Sequence, residues 1–114
     1  MFIIIAIGIV VFSCGKKEAN HVVINLPTMQ CSTCKKNIEE AVYRVKGVSF
    51  VHVSKRDKIA EINYDNTKTD LARLEHAITT IGYDANDKKA DTVAYMYLKD
   101  CCKLPKDQKE KHDN

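Results

Sequence analysis

Val22, Ile24 and Leu26 fall in one phase of a short run, with Val23 and Asn25 in the other. A period of two marks a strand with one apolar face, and Pro27 ends it. From Thr33 the period lengthens. Ile38, Ala41, Val42 and Val45 share one helical face, while Lys36, Glu39, Glu40 and Arg44 lie elsewhere. Ser32 or Thr33 can cap this helix, and Gly47 stops it. Period two returns over 48–54, with Val51 and Val53 on one face. Lys55-Arg56-Asp57-Lys58 is a polar turn of hairpin length. A third strand over 59–64 presents Ala60, Ile62 and Tyr64 together. Asp65-Asn66-Thr67 breaks it. A second helix starts at Thr69 or Asp70, aligns Leu71, Leu74, Ile78 and Ile81, and ends at Gly82.

A short return strand at 83–85 would complete the order βαββαβ. That order predicts an α+β, ferredoxin-like sandwich: an antiparallel sheet with two helices on one face. The other face stays solvated, which suits His52 and Ser54. Residues 86–90 read as a polar turn. Val93, Ala94, Tyr97, Leu98 and Cys101 then recur at helical spacing, predicting an extra C-terminal helix over 91–102, capped by Asp91 or Asp87. Thr, Val and Tyr favour strands, so a strand over 92–98 is the competing reading. Pro105 ends the ordered part, and a tail without apolar anchors is expected to be disordered.

The first residues stand apart. Residues 2–12 are apolar except Gly8, and about eleven residues fall short of the roughly 20 that a bilayer span needs. The length fits the core of a secretion signal. Val11-Phe12-Ser13-Cys14 resembles a loose bacterial lipobox, in which the signal is cut before the cysteine and that cysteine is lipidated. The expected organisation is a signal peptide over 1–13, a lipidated tether over 14–20, a folded domain over 21–86, a helical extension over 87–103 and a tail over 104–114. The protein is then exported and lipid-anchored to a bacterial cell-envelope membrane, facing the periplasm or the outside.

Five cysteines are an odd number for an exported chain. Assigning Cys14 to a lipid leaves Cys31 with Cys34 and Cys101 with Cys102. A net charge of +3, with no basic stripe carrying interleaved aromatics, gives no support to nucleic acid as a partner. His21, His52, His76 and His112 have no ligand spacing, and the scattered carboxylates form no hydrolytic site.

The chemistry concentrates in Pro27-Thr28-Met29-Gln30-Cys31-Ser32-Thr33-Cys34-Lys35-Lys36. Two thiols three residues apart stand where a loop becomes a helix. The first N–H groups of a helix lack internal partners and favour negative charge. Lys35 and Lys36 push the same way, toward the thiolate that binds metal or attacks a disulfide.

Met29-Gln30-Cys31-Ser32-Thr33-Cys34, the helix after it, and Ile81-Gly82-Tyr83 after the second helix resemble the heavy-metal-associated domain family. That family includes copper chaperones, N-terminal modules of metal-pumping ATPases and the periplasmic mercury-binding protein. The chain departs from the family pattern at Thr28, where Gly is usual, and at Gln30, where Thr is common. The resemblance implies Cys31 and Cys34 as ligands. It implies a core-packed Met29, with thioether ligation as the alternative, and places Tyr83 near the sulfurs. Family members tuned to zinc carry an Asp beside the first Cys. Gln30 stands there, which favours Cu(I), with mercury or zinc behind it. The expected partner is a metal-transporting ATPase or another thiol-rich metal protein.

Cys101 and Cys102 point about 100° apart on an α-helix, so both cannot easily face one ion. If the helix frays, one or both reach the first pair and raise the sulfur count to three or four. A remote disulfide, a second site, or one core thiol beside an exposed one are the other readings. Two functions compete: a tethered soft-metal binder that is not an enzyme, and a thiol–disulfide oxidoreductase using the same pair. An adaptor without metal function is weakened by the intact cysteines.

Overall fold

The computed structural model describes residues 19–108. The expected signal peptide, the expected lipidation site Cys14 and the end of the tail lie outside the described residues. The predicted order appears as β1 (Ala19–Asn25), α1 (Ser32–Tyr43), β2 (Val48–Ser54), β3 (Ile59–Asp65) and α2 (Leu71–Thr79). Ala19 and Asn20, expected in the tether, belong to the first strand. The strands form one antiparallel sheet in the order β1-β3-β2.

Register follows the apolar pattern. Ile62 is opposite Val22 on one side and Val51 on the other, and Ala60 is opposite Ile24 and Val53. A slip of one residue would send this whole set to the solvent face. Ile24, Val53, Ala60, Ile62 and Tyr64 are buried in one core with Ile38 and Val42 of α1 and Leu74 and Ile78 of α2. Val23, Phe50 and His52 are exposed on the opposite side. Ile62 is fully buried at the centre of the sheet, so Ile62→Ala should cost about 2–5 kcal/mol. Urea unfolding measures this, and a loss below about 1 kcal/mol would contradict such packing.

Several local expectations change. Ser49 forms an irregularity between Val48 and Phe50, and its hydroxyl donates to the Asn63 carbonyl at 3.2 Å. Asp70 caps α2 by accepting from the Arg73 N–H at 2.9 Å. Leu71 begins the first turn and stays exposed instead of joining the core face. The N-cap of α1 is Cys31, not Ser32 or Thr33.

The return strand at 83–85 shrinks to a single bridge between Ala85 and Lys88. Asn86 adopts a φ of 54°, which folds the chain back on itself. Its N–H donates to the Asn25 carbonyl at 2.8 Å and its side-chain oxygen accepts from the Asn25 N–H at 2.8 Å. The chain touches the end of β1 there and turns away. The ferredoxin-like fold therefore keeps three strands.

The C-terminal extension is a short helix α3 (Thr92–Met96) followed by a 3₁₀ turn (Asp100–Cys102). The expected continuous helix over 91–102 breaks after Met96, and no strand forms at 92–98. The tail is ordered further than expected, since a second 3₁₀ turn (Pro105–Asp107) packs back on Tyr95.

Candidate metal centre

Leu26 and Met29 fasten the loop that carries the first cysteines. The Leu26 N–H donates to Lys58 at 2.8 Å and its carbonyl accepts from Met29 at 3.2 Å. Both side chains are buried. The Thr28 hydroxyl accepts from the Asp84 N–H at 3.0 Å. Met29 is accordingly a core residue beneath the loop. Cys31 then lies at the N-cap, partly exposed, and Cys34 is buried in the first turn of α1. Their sulfurs are 3.1 Å apart, with no disulfide between them.

The extension reaches the same place. Asp91 caps α3 through the Ala94 N–H at 2.9 Å, and its own N–H donates to Thr79 at 2.9 Å. The break after Met96 lets the following turn tilt toward α1. Cys102 becomes buried while Cys101 stays exposed. The Cys31 sulfur lies 3.3 Å from that of Cys101 and 3.4 Å from that of Cys102. Cys101 and Cys102 are 3.9 Å apart. The fraying that would join the two pairs is what the structure contains.

Burial pushes the Cys31 thiol up. Hydrogen bonds from the Cys34 side chain and backbone N–H, and from Cys101 and Cys102, outweigh that and lower it from 9.0 to about 6. Cys31 stands at the N-cap of α1, where the N–H groups of the first turn favour a charge on this sulfur. Burial raises the Cys102 thiol instead. Alkylation of Cys31 in the reduced, metal-free protein should rise with pH through a midpoint near 6. About nine-tenths of this thiol is then ionised at pH 7. Peptide mapping after iodoacetamide pulses measures this, and a midpoint near 9 would contradict it.

Tyr83 is fully buried. Its hydroxyl accepts from the Asn37 side-chain amide at 3.3 Å and stands beside Cys34 and Cys102. Burial pushes the phenol up, so it stays a neutral donor to the sulfurs. Lys35 follows Cys34 directly in α1. Its ammonium lies 3.9 Å from the Glu39 carboxylate, one helical turn along. Two neighbours escaped the sequence reading. Asn37 stands three residues after Cys34 and so shares its helical face, a signal available from spacing. Lys55 donates to the Ser32 hydroxyl at 2.8 Å, a contact from the β2–β3 turn to the start of α1 that no local pattern encodes.

Cys31, Cys101 and Cys102 offer sulfurs all within 4.8 Å of one another, and no carboxylate or imidazole joins them among the described residues. An all-sulfur donor set suits soft ions. Residues 23–84 match the heavy-metal-associated domain. The chain belongs to this family. The domain is a heavy-metal-binding module, and its match ends before Cys101 and Cys102. It is 35% identical over 68 residues to the mercuric transport protein periplasmic component of Shewanella putrefaciens, covering 60% of this chain and 75% of that one. It is also 35% identical over 68 residues to copper-transporting ATPase 1 of Mus musculus, covering 60% of this chain but 5% of the ATPase. The crystal structure of oxidized MerP from Ralstonia metallidurans CH34 superposes with a TM-score of 0.58 at 31% identity, covering 60% of this chain and 94% of MerP. The CopZ metallochaperone gives 0.57 at 27%, covering 58% and 98%. Relatives of the domain thus include both mercury and copper proteins by name.

Proposed function

We propose that this protein binds Cu(I) through Cys31 and Cys34 and passes it by thiolate exchange to a metal-transporting ATPase or another thiol-rich protein, without acting as an enzyme. The observation that carries this reading is the pair of sulfurs 3.1 Å apart at the start of α1, one partly exposed and one buried. An exposed sulfur is open to an incoming thiolate. The ion gains that sulfur and then releases one of its own, with no change of oxidation state. Gln30 adds no charge beside the first ligand, which favours a univalent ion over zinc. Lipidation of Cys14 would hold the protein on the envelope membrane of a bacterium. Palmitate labelling lost in Cys14→Ser tests that step.

Anaerobic titration of the reduced protein against a Cu(I) chelator tests the reading. One equivalent held tightly, and released in Cys31→Ser/Cys34→Ser, is the expected result. Turnover of a disulfide substrate with no tight metal would replace it with the redox reading. The named mercuric relative favours Hg(II) as the second reading. Hg(II) retained against glutathione while Cu(I) is surrendered would shift the function there.

A further inference from the structure

We propose that Cys101 and Cys102 bind the same ion as Cys31, so that the C-terminal extension closes the open two-sulfur site into one of three sulfurs. This rests on the reading of Cys31 and Cys34 as a soft-metal pair. The three sulfurs form a triangle with edges of 3.3, 3.4 and 3.9 Å. Metal–sulfur bonds of about 2.3 Å spread three trigonal thiolates about 4.0 Å apart. Rotation of the exposed Cys101 and slight spreading of the others supply the difference. Cys34 stands at 3.1 Å from Cys31 as a fourth sulfur for exchange.

Packing alone does not account for this convergence. Cys102 is buried and could serve as a small core residue. Cys101 is exposed and gains nothing from burial, yet its sulfur still meets Cys31 at 3.3 Å across 70 residues of chain. The chain is also fastened on both sides of the two cysteines. Before them, the missing side chain of Gly82 admits the backbone of Ala94 and Tyr95. After them, the Tyr95 hydroxyl accepts from the Leu104 N–H at 2.9 Å and donates to the Asp107 carboxylate at 2.5 Å. This clasp brackets the turn that carries the thiols.

The consequence is retention. The third sulfur that an acceptor protein would bring is already supplied from within, so departure of the ion waits on displacement of the extension.

Copper-edge X-ray absorption on the reduced full chain with one equivalent of Cu(I) counts the sulfurs directly. About three are expected, falling to about two in Cys101→Ser/Cys102→Ser. Tyr95→Phe opens the clasp without removing a ligand and should speed transfer of Cu(I) to a dithiol. Two sulfurs in the wild type, with tight binding intact, would overturn the closure and leave the pair standing. Absence of tight binding in the wild type would overturn both.

Discussion

Cys31→Ser is expected to lower Cu(I) affinity about a hundredfold or more. Structural zinc sites in zinc-finger peptides are worth about 10–16 kcal/mol over four ligands, or roughly 3 kcal/mol for each, and the same scale is taken for a thiolate on Cu(I). Cys31 should exceed that mean because its sulfur lies 3.1, 3.3 and 3.4 Å from the other three. Removing it takes away the sulfur that lies within 3.4 Å of all three others. Stability should hold, since Cys31 is partly exposed at an N-cap and serine is a favoured residue there. Chelator competition beside thermal melts separates the two effects. Equal affinity losses in Cys31→Ser and Cys101→Ser would remove Cys31 from its central place.

Gly82→Ala should destabilise the protein by about 2–3 kcal/mol and release the extension. Gly82 has a φ of +103°, and a Cβ there would lie 3.0 Å from the carbonyl carbon of Ala94 and the nitrogen of Tyr95. Both atoms are backbone, so rotation of a side chain cannot make room. Relief must come from the left-handed turn after α2 or from displacement of α3. Displacement carries away Cys101 and Cys102. Native-state alkylation should then reach Cys102, which is 1% exposed in the intact fold. Unchanged melting with Cys102 still protected would show that this contact does not hold the extension.

The strands and the two long helices were readable because each reports its surroundings through local spacing. Burial alternates along β3 as Ala60, Ile62 and Tyr64 alternate in the chain, and Ile38 and Val42 are one turn apart on α1. The loop cysteines were readable for the same reason, being one helical turn apart. The return strand failed because its three residues depended on Asn86, whose φ of 54° turns the chain before a ladder forms. The expected helix over 91–102 failed at Tyr97, where helical spacing continues but the backbone ends the helix. Tyr95 drew no notice in the sequence, since its partners Leu104 and Asp107 lie in the segment expected to be a disordered tail.

The linear order of residues was enough to determine the sheet with helices on one face, the family, and the sulfur pair at the head of the first helix. Those features arise from contacts between near neighbours and from the period of burial. Only the tertiary structure decided that Cys101 and Cys102 meet Cys31. That meeting depends on a helix that breaks, a glycine that admits another backbone and a tyrosine that ties the chain beyond. Each is a contact between parts that spacing along the chain does not relate.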